Sequence, residues 1–67
     1  MNHRDINFIL KNLTSKENNY NDDACHTNLT LLNKMWDMLN GEQQEEYCET
    51  FENARKNIKE MIESFHN

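Results

Sequence analysis

Leu29-Thr30-Leu31-Leu32-Asn33-Lys34-Met35-Trp36-Asp37-Met38-Leu39 is the stretch on which the fold turns. Seven of its eleven residues are apolar, and at about 100° per residue they fall on two adjoining helical stripes. Cys25, Leu29, Leu32, Trp36 and Leu39 form one stripe, and Ala24, Leu31, Met35 and Met38 form the second. Together they span about half of the helix circumference, too wide for a single neighbour. This helix is therefore expected in the middle of a bundle, buried by a partner on each side.

The residues on either side supply those partners. Ile6, Ile9, Leu10 and Leu13 recur at helical spacing and predict a first helix over about residues 4–14. Phe8 points roughly opposite to that stripe, toward solvent or toward something outside the helix. Thr14 with Glu17 has the spacing of a capping box, and the Asn-rich segment from Ser15 to Asp23 reads as a helix end and loop. Asn21, Asp22 or Asp23 can cap a second helix over about residues 22–39. Asn40-Gly41 is expected to end it, with Gly41 in the left-handed conformation just past the last turn. A third helix over about residues 42–65 carries Tyr47, Phe51, Ala54, Ile58, Met61, Ile62 and Phe65 on one narrow stripe. So short a connection makes helices two and three a long antiparallel hairpin. The expected fold is one small all-α domain over residues 1–67, with a shorter N-terminal helix that leaves part of the hairpin uncovered.

Size and composition narrow the classes of function. A domain of 67 residues buries only about 60% of the surface its unfolded chain exposes. The chain has one glycine and no proline, which argues against a fold of strands and tight turns. A net charge of −5 opposes direct binding to nucleic acid or to an anionic membrane. No apolar run approaches the roughly 20 residues of a membrane span, and the first residues lack the pattern of a signal peptide. A soluble cytoplasmic protein is the expectation. The Asn-x-Thr triplets at Asn12 and Asn28 are then chance features of an Asn-rich chain.

Chemistry-bearing residues are sparse. Cys25 lies about eight residues farther from the hairpin turn than Cys48, roughly 12 Å along the axis, beyond the Cα separation a disulfide tolerates. Cys25, His26, Cys48 and a terminal histidine do not have the spacing of a compact zinc site. Ser15 and Ser64 have no base and carboxylate arranged around them, and no glycine-rich phosphate loop is present. No catalytic residue, metal or cofactor is assigned. His3 and His66 are expected to be solvated near frayed ends.

Two features point instead to protein binding. Phe8, Met35 and Met38 lie on or near apolar surface that the short first helix does not fully cover, and methionines suit adaptable contacts. Glu42, Glu45, Glu46, Glu49 and Glu52 run without an intervening Lys or Arg. The first three suit the amino end of a helix, and Glu52 can pair with Lys56. Glu45, Glu49 and Glu52 offer a strip for a basic surface. Trp36 is read as core.

The expected function is that of a non-enzymatic modulator that binds another protein, such as a host enzyme with a basic surface. The Asn-rich composition matches the style of small accessory proteins of bacteriophages and mobile elements, so inhibition of a host protein is its concrete form. An acidic nucleic-acid mimic is the alternative, and a self-assembling module that dimerises into a larger helical bundle is a third reading.

Overall fold

The computed structural model describes residues 1–66 and contains three helices. They are α1 (His3–Thr14), α2 (Asp22–Met38) and α3 (Gly41–Phe65). Each boundary lies within about a residue of its expected place. An asparagine opens every helix. The side-chain oxygen of Asn2 accepts from the Asp5 amide at 2.8 Å, that of Asn21 from Ala24 at 2.8 Å, and that of Asn40 from Gln43 at 2.9 Å. Part of the asparagine content is thus spent on satisfying free amides at helix starts.

The α2–α3 connection differs from the expected glycine stop. α2 ends at Met38, and Leu39 adopts an extended conformation that carries its side chain into the core. Asn40 then caps α3 in a reciprocal capping box, its own amide donating to the Gln43 side chain at 3.4 Å. Gly41 is the first residue of α3 and no glycine has a positive φ. With only Leu39 and Asn40 between the helices, Asn40 opens the next helix rather than closing the previous one. The Thr14–Glu17 capping box does not form either. The Thr14 hydroxyl donates back to the Leu10 carbonyl at 2.7 Å, so it closes the last turn of α1.

The core is built as the stripes imply. Phe51 and Ile58 of α3, Leu32 and Cys25 of α2 and Ile6 of α1 are wholly buried, with Leu10, Met35, Leu39, Tyr47 and Ala54 around them. Trp36 is only half-buried. Its ring packs at 5.0 Å against Phe51, with the Arg55 guanidinium 6.0 Å from its centroid, so it closes an edge of the core. The molecule measures 39 × 17 × 14 Å. α3 alone, at 1.5 Å per residue, accounts for the longest dimension, and α1 is half as long. Met61 and Ile62 are accordingly half-buried and Phe65 is exposed.

The segment between α1 and α2 is held by asparagine side chains. Asn19 is 3% exposed. Its side-chain amide donates to the Leu13 carbonyl at 2.8 Å and to the Ser15 carbonyl at 2.6 Å. Asn28, buried on α2, donates to the Asn19 side-chain oxygen at 3.1 Å and to the Asn18 carbonyl at 2.9 Å. Carbonyls at and just past the end of α1, which the helix itself cannot pair, are satisfied in this way. The polar loop of the sequence is in fact a wired connection.

Candidate protein-docking surface

α1 and α2 lie side by side, and their facing residues do not close completely. Ile9 and Leu13 of α1, Leu31, Met35 and Met38 of α2, and Met1 line a groove of about 350 Å³, with Lys34 the one charged side chain among the described residues that line it. Around α2, Met35 and Met38 stand about 60° apart, because three residues advance the helix by about 300°. That rotation separates their fates: Met35 is 4% exposed and Met38 is 69% exposed. Leu31 is 44% exposed. Met35 thus forms the floor of the groove and Leu31 and Met38 its wall. The side chain of Gln43 donates to the Met1 carbonyl, which ties the amino terminus to the start of α3 beside the groove.

A smaller and more polar depression of about 270 Å³ lies along the same α1–α2 seam, lined by Asn12, Leu13, Asn18, Tyr20, Ala24, Thr27 and Asn28. Leu13 belongs to both depressions. The two depressions, together termed the trough, mark the α1–α2 seam from Tyr20, 71% exposed, to Met38. Among the described residues, none that lines the trough comes from α3. Spacing in the sequence reveals the apolar residues of this trough; Tyr20, isolated in the polar loop, gives no periodic signal.

Phe8 is exposed but does not line the trough. It lies about 100° around α1 from Ile9, so the structure does not bring it together with Met35 and Met38.

Glu45, Glu49 and Glu52 are all exposed on α3. Among the described residues, none of the three lies within 4 Å of a Lys or Arg nitrogen. The expected Glu52–Lys56 pair is therefore not made; the Glu52 carboxylate instead lies 3.8 Å from Cys48 Sγ. The three form an unneutralised acidic strip on a helix that does not line the trough.

The histidines are engaged rather than simply solvated. His3 Nδ1 bonds the Tyr47 hydroxyl, and its Nε2 lies 3.9 Å from Glu46, which joins α1 to α3. Asp22 Oδ1 lies 2.9 Å from His66 Nε2 and 3.5 Å from His26 Nε2, which joins the start of α2 to the end of α3. Among the described residues no three His, Cys, Asp or Glu side chains are placed to hold a metal ion. Cys25 and Cys48 are both free thiols. Burial, reinforced by the nearby Asp22 charge, pushes the Cys25 thiol above its ordinary value, and both effects outweigh the backbone amide that favours the thiolate. No helix is long and apolar enough to cross a membrane among the described residues. The chain matches no protein-family model, no curated protein and no solved structure.

Proposed function

We propose that this chain is a non-enzymatic protein-binding module whose docking surface is the α1–α2 trough. The observation that carries this reading is the exposure of Leu31 and Met38 over a groove in which Lys34 is the one charged side chain among the described residues. Water gains nothing from such a wall, and an apolar partner surface would release it. The exposed Met38 thioether adapts to the shape of an incoming side chain, over a floor formed by the buried Met35. In its concrete form, the module inhibits or redirects a host protein on behalf of a phage or mobile element.

Leu31→Glu and Met38→Glu test the reading, since both side chains are exposed enough to be charged without opening the core. Each should abolish retention of the partner on the immobilised chain while circular dichroism stays unchanged, and raising the salt should not weaken the wild-type complex. Undiminished retention by both variants overturns it.

A second reading, the acidic nucleic-acid mimic, is favoured by the unpaired strip of Glu45, Glu49 and Glu52. It predicts the opposite salt response. Charge reversal at these three positions should then remove binding to a basic partner, and a complex that survives reversal excludes this reading.

A further inference from the structure

Gly41 is a glycine that the fold does not require. It has no positive φ, and a Cβ added to it meets nothing within 4 Å, so neither backbone conformation nor packing calls for glycine at the first position of α3. Its local effect falls on Asn40. As the chain's one glycine, it leaves the amide nitrogen beside the Asn40 side chain unshielded by a side chain of its own. That amide is also free, as the first N–H of a helix is: among the described residues it donates to no backbone carbonyl. Asn40 and Gly41 are both exposed to water.

We propose that Asn40 is a site of spontaneous deamidation, at which the chain modifies itself. The Gly41 nitrogen gives up its proton and attacks Cγ of Asn40. The new C–N bond closes a succinimide ring, the bond from Cγ to the side-chain nitrogen breaks, and that nitrogen leaves with the proton as ammonia. Water then opens the ring at either carbonyl. One opening leaves aspartate, and the other leaves isoaspartate, whose main chain runs through the former side-chain carbon. Nothing is oxidised or reduced, and water is the one co-reactant.

The cap favours the first step. Oδ1 of Asn40 accepts from the Gln43 amide at 2.9 Å, so a donor already sits on the oxygen that becomes negative as the nitrogen adds, at the positive end of α3. Asn2 and Asn21 make the same capping bond at 2.8 Å, but His3 and Asp22 follow them and crowd the attacking nitrogen. Asn7, Asn12, Asn33, Asn53 and Asn57 lie inside helices, where the next amide is held by a carbonyl of the preceding turn. The two products pull the hairpin in opposite directions. Aspartate caps as well as asparagine and adds negative charge where the α3 dipole favours it. Isoaspartate adds a methylene to a link of only Leu39 and Asn40 and withdraws the capping side chain. Leu39 is buried, so a longer backbone beside it disturbs that edge of the core as well as the start of α3.

Incubation of the whole folded chain in mildly alkaline buffer, followed by peptide mass spectrometry and an isoaspartate-specific methyltransferase assay, tests this. Wild type should show the mass change of an amide becoming an acid at Asn40 and at no other asparagine, with methyl acceptance rising in step. Gly41→Ala, which the structure accommodates without a clash, should slow the change about tenfold or more by hindering the attack. The isolated isoaspartate form should unfold at a lower urea concentration than the unmodified chain, and Asn40→Asp at an equal or higher one. An Asn40 that stays intact in the folded chain while the same chain in urea is converted overturns the proposal, because the cap then shields the side chain. Conversion of Gly41→Ala as fast as wild type, or conversion spread over the other asparagines, overturns it too. An isoaspartate form that unfolds with the unmodified chain overturns the effect on the hairpin.

Discussion

Asn19→Ala removes three hydrogen bonds at once from the connection between α1 and α2. Two are donated to the Leu13 and Ser15 carbonyls, at 2.8 and 2.6 Å, and one is accepted from Asn28 at 3.1 Å. At about 0.5–1.5 kcal/mol net for each, their sum is roughly 1.5–4.5 kcal/mol. Two features of the site pull the value toward the lower half. Ser15 is only half-buried, so water can reach its freed carbonyl, and Asn28 keeps its bond to the Asn18 carbonyl at 2.9 Å. The expected cost is about 2–3 kcal/mol. A chain of this length has a total stability of roughly 3–10 kcal/mol, so the loss is a large fraction of it and lowers the melting temperature by roughly 10–20 °C. Urea unfolding followed by circular dichroism measures it, with an unchanged slope indicating that the surface exposed on unfolding is the same. Asn18→Ala is the control. Asn18 is exposed and its side chain makes one bond, to the Asn12 carbonyl at 2.8 Å, so the loss should stay within about 1 kcal/mol. A double-mutant cycle with Asn28→Ala should show a coupling of about 0.5–1.5 kcal/mol. A loss below about 0.5 kcal/mol for Asn19→Ala, with no coupling, refutes the reasoning.

Gly41→Ala should stabilise the protein by about 0.4–1 kcal/mol in the same assay, because Gly41 is helical without positive φ and an added Cβ meets nothing within 4 Å. Phe51→Ala should cost about 3–5 kcal/mol, since the ring is wholly buried between the helices. Trp36→Ala, at the half-buried edge, should cost measurably less than Phe51→Ala in parallel denaturant titrations. Cys48 should react with an aromatic disulfide reagent in the native protein, whereas Cys25 should react only on unfolding. A thiol whose folded value is raised favours the folded state fully below its unfolded value. Stability should therefore begin to fall as pH rises past roughly 8.5, where the unfolded chain starts to ionise at this position, and Cys25→Ala should remove that contribution.

Much of this architecture is legible in the sequence because helical periodicity is a property of one segment at a time. Ile6, Leu10, Leu32, Phe51 and Ile58 repeat at the helical interval and are buried where the stripes place them. The two-residue link at Leu39 and Asn40 by itself dictates a hairpin. Which end of that link Asn40 serves is not decided by residue type, since asparagine suits both a helix end and a helix start; Leu39, drawn into the core, settles it. The candidate site divides in the same way. Leu31, Met35 and Met38 share an apolar stripe in the sequence, yet only the position of α1 across α2 buries Met35 and leaves Met38 in water. Asn19 and Asn28 look like ordinary polar loop and surface residues. Their burial follows from where the chain folds back, and that is set by the free carbonyls at the end of α1. The sequence by itself thus determined the three helices, their limits and their apolar faces, because these depend on contacts a few residues apart. Only the tertiary structure decided which parts of those faces are covered and which asparagines are buried, because that depends on where a neighbour ends.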